Sequence, residues 1–151
     1  MSINIIAIGK KHESWICEGL ERYQKRLKKP YDVKWVLLPH SSLDGQRARE
    51  EESGRILTRI DDVTYVVLLD ETGKNISSPE LSQLCDTQFS RSNMTVIIGG
   101  AYGVTTELQQ RADFVWSLSR LVFPHQLVRL LLVEQIYRAQ EIQTGGKYHH
   151  L

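Results

Sequence analysis

The sequence predicts an α/β fold in which a parallel sheet carries helices on both faces. Short runs of aliphatic and β-branched residues, bounded by turn residues, are typical of buried strands. The segments between these runs are polar, with apolar residues at helical spacing, so strands and helices alternate along the chain. Such alternation favours a parallel sheet. A length of 151 residues fits one domain with a substantial core.

Five segments carry the strand pattern. The first four read INIIAIG, VKWVLLP, TYVVLLD and MTVIIGG, and a fifth, FVWSLS at 114–119, has a similar composition. The first helix between them presents its apolar residues on one face, namely Ile16, Leu20, Tyr23 and Leu27. The second, GQRAREEESGRILTRI, is highly charged and weakened by Gly54.

Two further helices have recognisable beginnings. In SSPELSQLCDTQF we expect Ser78 to be the N-cap, with Pro79 at the first helical position and Glu80 in the first turn. A shorter helix, VTTELQQRAD, follows the glycine-rich segment. These elements complete the alternating pattern.

The last helix differs from the others because it is apolar around most of its circumference. Residues 127–142 read LVRLLLVEQIYRAQEI, in which ten of sixteen residues are apolar. A helix of this kind must be covered on more than one side, and the sheet covers only one. A second copy of the chain is the simplest cover, so we expect a homodimer.

Composition and charge narrow the possible classes of protein. The chain has 19 Lys and Arg against 18 Asp and Glu, so its net charge of +1 neither indicates nor excludes a nucleic-acid partner. Cys17 and Cys85 form no CxxC motif, which argues against a cysteine zinc site or a disulfide and fits a reducing cytosol. The apolar runs are too short to span a bilayer and the N-terminus lacks signal-peptide order, so we expect a cytoplasmic protein without membrane contact.

A basic bias surrounds the first helix. Phosphate binding and a solvated helix face both explain it, and the sequence favours neither. The cations concerned are Lys10, Lys11, Arg22, Lys25, Arg26, Lys28 and Lys29.

Two segments that end predicted strands are candidates for ligand binding. IIGGAYG at 97–103 is either a ligand loop or a tight turn, and its GGxxG spacing is neither the dinucleotide fingerprint nor a P-loop. Its place at the carboxyl end of a strand favours a ligand. DETGK at 70–74 can present a carboxylate to a ribose, although a strand-to-loop turn held by Gly73 is the simpler interpretation.

Three polar groups follow near the C-terminus. His125 and Arg129, four residues apart after Pro124, can handle a proton and a phosphate, or form a surface pair. Glu134 and Arg138 favour a structural or interface salt bridge over catalysis. The segment TGGKYHHL at 144–151 is a frayed end or part of a site. A metal site is not expected there, because adjacent histidines are poorly placed to bind one ion.

Read together, these segments resemble one family. VVLLDETGK, VIIGGAYG, SLSRLVFPHQLVRLLLVEQIYRA and the terminal YHH occur in the order seen in the SPOUT-class RNA methyltransferases. More narrowly, they resemble the bacterial family that methylates N3 of a pseudouridine, number 1915, in 23S rRNA. The resemblance covers essentially all 151 residues and implies one SPOUT methyltransferase domain, residues 1–151.

The resemblance also implies the rest of the architecture. It predicts a deep C-terminal trefoil knot that forms a pocket for S-adenosyl-L-methionine, and a homodimer packed through the last helix. The expected substrate is 23S rRNA in an assembled ribosome, either the large subunit or the 70S particle. S-adenosylmethionine has no pyrophosphate, which explains the missing GxGxxG motif.

Site residues follow from the matched positions. The implied cofactor contacts are Leu69, Gly99, Leu118, Ser119, Arg120, Leu121, Val122 and Phe123, with the Arg120 side chain expected to point away from the pocket. The implied catalytic positions are His125, Arg129, Glu134, Arg138, Tyr148 and His149, with His125 the nearest candidate base. Where the family usually has Arg or Lys after Tyr-His, this chain has His150.

The tail and the function keep alternatives at this stage. Gly145 and Gly146 are expected to form a hinge that carries Tyr148 and His149 onto an active site, that of the same or of the partner chain. A catalytically silent SPOUT-like RNA-binding or assembly factor is one functional alternative. The second functional alternative is a different nucleotide-binding α/β enzyme. The absence of a GxGxxG motif argues against it.

Overall fold

The predicted alternation of strands and helices is present in the computed structural model, which describes residues 1–150. The strands are β1 Ile3–Ile8, β2 Val33–Leu38, β3 Tyr65–Lys74, β4 Met94–Ile98 and β5 Phe114–Trp116. The helices are α1 Ser14–Gln24, α2 Gly45–Leu57, α3 Ser78–Phe89, α4 Thr106–Arg111 and α5 His125–Thr144. None of these helices is both long and apolar enough to cross a membrane.

The five strands form one parallel sheet in the order β2-β1-β4-β3-β5. Side chains of β1 alternate between two cores: Ile3 and Ile5 face α1, α3 and α5, while Ile6 and Ile8 face α2 and α4. The predicted fold class, a parallel sheet with helices on both faces, is therefore confirmed. The C-terminal knot stays a prediction.

Helix α5 is covered on two sides by its own chain. It packs against α1 and α3, and Leu132 and Val133 are fully buried. Gly19 lets α1 approach closely, because a Cβ there would lie 2.8 Å from Leu130 Cδ1. Neighbouring helices thus cover part of the surface that the sequence analysis assigned to a second copy. Leu131 and Ile142 remain half-buried, and the homodimer stays a prediction.

The segment 70–74 is not the strand-to-loop turn that we expected. Strand β3 continues to Lys74, with an irregularity in its pairing to β5 between Leu69 and Lys74. Gly73 is required for another reason, because a Cβ there would lie 2.6 Å from the Val115 carbonyl oxygen. The close approach of the neighbouring strand, rather than a turn, is therefore the reason for glycine at position 73.

Two element boundaries also differ from the prediction. Ser77, not Ser78, caps α3, because its hydroxyl accepts from Glu80 N–H while the Glu80 carboxylate accepts from Ser77 N–H. This reciprocal box requires Glu80 at the third helical position. Strand β5 ends at Trp116, since Ser117 Oγ donates to the Ser119 carbonyl and turns the chain locally.

Candidate functional site

A cavity of about 550 Å³ opens at the carboxyl ends of β3, β4 and β5. Three segments wall it: the end of β3, the glycine loop at 99–103, and the stretch that leads from β5 to α5. Much of the wall is apolar, contributed by Leu69, Ile98, Val104, Trp116, Leu118 and Val128. Asp70 and Glu71 add carboxylates at one side. Open α/β sheets place ligands at this edge, so the cavity is the candidate site.

Seven of the eight predicted cofactor contacts line this cavity: Leu69, Gly99, Leu118, Ser119, Leu121, Val122 and Phe123. Arg120 belongs to the same segment but is exposed and is not part of the cavity wall. Leu121 and Val122 are 71% and 79% exposed, so the cavity has an apolar outer edge. The eight residues remain predicted contacts.

The glycine loop is a tight turn that also walls the cavity, and its binding of a ligand stays a prediction. Gly103 has φ +78 and its N–H donates to the Gly100 carbonyl at 3.1 Å, which closes a tight turn. The same loop walls the cavity. A side chain on Gly99 would lie 2.8 Å from Val104 Cγ1, and one on Gly100 would collide with the Glu52 carboxylate.

Helix α2 supports this loop with residues that the sequence analysis missed. Arg49 Nε donates to the Tyr102 carbonyl at 2.8 Å, and the Tyr102 hydroxyl donates to Asp44 Oδ1 at 3.2 Å. Glu52 is 3% exposed, accepts from Ser41 N–H at 2.9 Å, and packs behind Gly100. No pattern distinguished these residues from the other charges of α2, because only packing shows which face is buried.

The carboxylate of Asp70 shapes the opposite wall. Its Oδ1 accepts from Thr72 N–H at 2.9 Å and from Thr72 Oγ1 at 2.6 Å. These bonds stabilise the irregular part of β3 between Leu69 and Lys74. Three successive polar residues of this segment, Asp70, Glu71 and Thr72, line the cavity.

His125, the first residue of α5, lines the cavity. Partial burial lowers the pKa of its imidazole, and the nearby positive charges of Arg129 and His40 lower it further. Glu52 acts in the opposite direction. The ring is therefore neutral at pH 7 and can accept a proton.

Arg129 is neither a surface residue nor placed to bind a phosphate. It is 1% exposed, and its guanidinium donates to the carbonyls of Ile8, Gly9 and Lys11 at 3.1, 3.0 and 2.9 Å. Its Nη1 also lies 3.1 Å from His12 Nδ1. Arg129 therefore holds the turn between β1 and α1 against the start of α5. The expected surface pair and phosphate contact are corrected, because spacing alone cannot tell a buried helix face from an exposed one.

The remaining four candidates form a second group, the tail cluster, made of Glu134, Arg138, Tyr148 and His149. Glu134 Oε2 accepts from Arg138 Nη2 at 2.8 Å and from the Tyr148 hydroxyl at 2.9 Å. Arg138 Nη1 lies 3.0 Å from His149 Nδ1, and its guanidinium lies 4.8 Å from the centre of the Tyr148 ring. The predicted Glu134–Arg138 salt bridge is present.

Within the described residues, the tail folds back onto α5 as far as His149. Gly145 ends the helix in the left-handed conformation, with φ 75, and Gly146 N–H donates to the Glu141 carbonyl at 2.8 Å. Tyr148 then packs edge-on against Tyr137, with 4.8 Å between ring centroids. Burial, followed by hydrogen bonds to Tyr23 and Glu134, raises the pKa of Tyr148.

The tail cluster lies away from the cavity of its own chain. None of its four residues lines the cavity. His125 and Arg138 are thirteen positions apart on α5, which is about 20 Å at about 1.5 Å per residue. The structure therefore divides the six predicted catalytic residues into two groups, one at each end of this helix.

Comparison with protein families identifies the chain. A family model described as "Predicted SPOUT methyltransferase" matches residues 1–149. The chain belongs to the SPOUT methyltransferase family.

Relatives within the SPOUT family are similar along the whole chain. A protein named ribosomal RNA large subunit methyltransferase H from Desulfitobacterium hafniense is 40% identical, and the match covers 99% of each chain. Proteins of the same name from Acetivibrio thermocellus and Streptococcus uberis are each 39% identical with the same coverage.

A solved structure supports the SPOUT fold independently of sequence. The structure of a probable methylase family protein from Haemophilus influenzae superimposes with a TM-score of 0.58 at 14% identity. The match covers 99% of this chain and 70% of that one. At this identity the likeness concerns the fold alone.

Proposed function

We propose that this SPOUT protein is an S-adenosyl-L-methionine-dependent methyltransferase that methylates N3 of a pseudouridine in 23S rRNA. The observation that carries the proposal is the cavity at the sheet's carboxyl edge, walled by the glycine loop and by His125. Relatives named ribosomal RNA large subunit methyltransferase H match the whole chain, which supports rRNA as the substrate and the cytoplasm as the place of action.

The cavity fits S-adenosylmethionine in size and chemistry. Apolar residues such as Leu69, Leu118 and Val128 suit the faces of adenine. Asp70 and Glu71 suit the positively charged methionine end, and no cluster of cations or P-loop is present for a pyrophosphate. When bound, the cofactor supplies an electrophilic methyl group.

His125 acts on the nucleotide. It takes the proton from N3, so that the ring nitrogen is free to be methylated. Its lowered pKa keeps the imidazole in the proton-accepting form at pH 7. Arg129 is a positioning residue in this scheme, because it anchors the first turn of α5 to the end of β1.

The tail cluster completes the site of a partner chain in a homodimer. It lies far from the cavity of its own chain, while its pairing with α5 keeps Tyr148 and His149 in fixed positions. Half-buried apolar side chains on α5, including Leu127 and Leu131, offer the contact surface for a second copy. Deleting the residues after Gly146 is therefore expected to abolish methylation and to leave the dimer intact, as measured by light scattering.

Mass spectrometry of rRNA tests the reaction directly. Ribosomes from a strain that lacks the gene are incubated with the protein and S-adenosylmethionine, and nucleosides of 23S rRNA are then identified. We expect methylated pseudouridine, on 70S particles or large subunits. Ribosome binding without methylation would instead support a silent assembly factor. Thermal stabilisation by NAD but not by S-adenosylmethionine would support another nucleotide-binding enzyme.

A further inference from the structure

Positive charge is concentrated in one short segment, residues 22–29, which we call the basic loop. It consists of the last turn of α1 and the residues that follow it. Five of the chain's 19 Lys and Arg residues and none of its 18 Asp and Glu residues lie in these eight positions. The rest of the chain has 14 cations against 18 anions, so the near-neutral total conceals a local excess.

These five cations are exposed and mostly unpaired. Arg22, Lys25, Arg26, Lys28 and Lys29 are all exposed. Among residues 1–150, Lys29 alone of the five forms an ion pair, at 3.9 Å from Asp32. The dipole of α1 favours cations such as Arg22 in its last turn, but Lys28 and Lys29 lie beyond the helix.

A buried side chain of α5 holds the backbone of the basic loop. Gln140 is 6% exposed, and its Oε1 accepts from Lys28 N–H at 2.7 Å. Its Nε2 donates to the Arg26 carbonyl at 3.0 Å. Leu27, between these two residues, packs against the core. The cations are therefore presented from a fixed backbone, which reduces the ordering entropy lost when they bind a partner.

Three aromatic rings in contact connect the basic loop to the tail cluster. Tyr23 lies 5.8 Å from Tyr137, and Tyr137 lies 4.8 Å from Tyr148, between ring centroids. Arg138 is next to Tyr148. Packed side chains, including the buried Tyr137, therefore connect the basic loop to the part of the molecule that we assign to a partner's active site.

We propose that the basic loop is a docking surface for the phosphate backbone of rRNA. This inference rests on the proposed function and adds a binding site distinct from the cavity. Exposed cations of which four out of five form no ion pair within residues 1–150 match a run of phosphates. A membrane-binding surface would present apolar side chains between its cations, whereas Tyr23 and Leu27 pack inward against the core.

A matched pair of triple variants tests the surface. Lys25→Gln, Arg26→Gln and Lys28→Gln remove three cations from the basic loop, while Arg47→Gln, Arg59→Gln and Arg91→Gln remove three exposed cations elsewhere. Affinity for 70S ribosomes is measured over a series of KCl concentrations. For the basic-loop variant we expect a fall of at least about tenfold, and a salt slope smaller by about two to three. The control variant should keep both values close to the original.

The outcomes separate this inference from the proposed reaction. Unchanged affinity and slope in the basic-loop variant, or an equal loss in the control, would overturn the docking surface. Loss of binding to phosphatidylglycerol vesicles with ribosome binding intact would also overturn it. If the original protein binds ribosomes through this loop but methylates nothing, the proposed reaction is refuted and the proposed docking surface is supported. S-adenosylmethionine affinity, measured by calorimetry, should be the same in all three proteins.

Discussion

Two arginines on the same helix show how differently the two ends of α5 are built. Arg129 is 1% exposed and donates to three backbone carbonyls at the end of β1 and the turn after it. Arg138, nine residues later, is partly exposed and bonds to the side chains of Glu134 and His149. The first end is rigid because backbone groups hold it. The second depends on side chains and on a tail that returns to them.

Among single substitutions, the largest effect on activity should come from His125 at the cavity. His125→Gln is expected to reduce methyl transfer about 10²- to 10⁴-fold, because a positioned base contributes about that much. The activity of the original protein should fall with acid only below pH 6.5, since the pKa of His125 is lowered from that value. Methylation rates measured on ribosomes from pH 5 to 8 check both statements. Binding of S-adenosylmethionine to the variant is the control. Full activity of the variant at every pH would show that another group is the base.

The contrast between the arginines predicts unequal losses of stability. Arg129→Met leaves three carbonyls without a buried donor and should lower the free energy of unfolding by about 2–4 kcal/mol. Arg138→Met is the matched control and should cost about 1 kcal/mol or less, because its ion pair is partly exposed. Urea unfolding measures both. Equal losses would contradict the distinction drawn between the two ends.

Acid should weaken the end that faces the cavity. Burial lowers the pKa of His12, and the charge of Arg129 lowers it further. The pKa of His125 is lowered as well. Below pH 6.5 the unfolded chain therefore binds more protons than the folded one, and stability decreases as pH falls until the folded pKa values are passed. Each histidine contributes a slope of at most about 1.4 kcal/mol per pH unit. Urea unfolding of His12→Asn should show a shallower decrease, and an unchanged pH profile would refute this assignment.

A small effect on stability is expected from removing the Tyr148 hydroxyl in the tail cluster. Tyr148→Phe removes the hydroxyl that donates to Glu134 and keeps the ring contact with Tyr137. The free energy of unfolding should therefore decrease by about 1 kcal/mol. Lys147→Gln, at an exposed neighbour, is the control. Amide hydrogen exchange near Tyr148 should report faster opening of the tail in Tyr148→Phe only. Unchanged exchange would mean that ring packing alone holds the tail.

Part of the candidate site could be predicted from the sequence, because the direction of the strands determines where their carboxyl ends lie. A glycine-rich segment after a buried strand lies at the carboxyl edge of any parallel sheet, so the position of residues 99–103 at the cavity could be predicted. The burial of Arg129 and the position of Glu52 behind Gly100 could not. Both side chains are determined by which helix face meets which strand end, and helical spacing leaves that choice open.

The sequence by itself determined the order of strands and helices, the parallel sheet, and the Glu134–Arg138 pair, because periodicity and i,i+4 spacing act over a few residues. The tertiary structure decided the rest. In the folded chain β3 continues through residues 70–74, and α1 and α3 cover two sides of α5. Gln140 holds the backbone of the basic loop by hydrogen bonds. These features join residues up to 114 positions apart, and only the packed chain brings such partners within hydrogen-bonding distance.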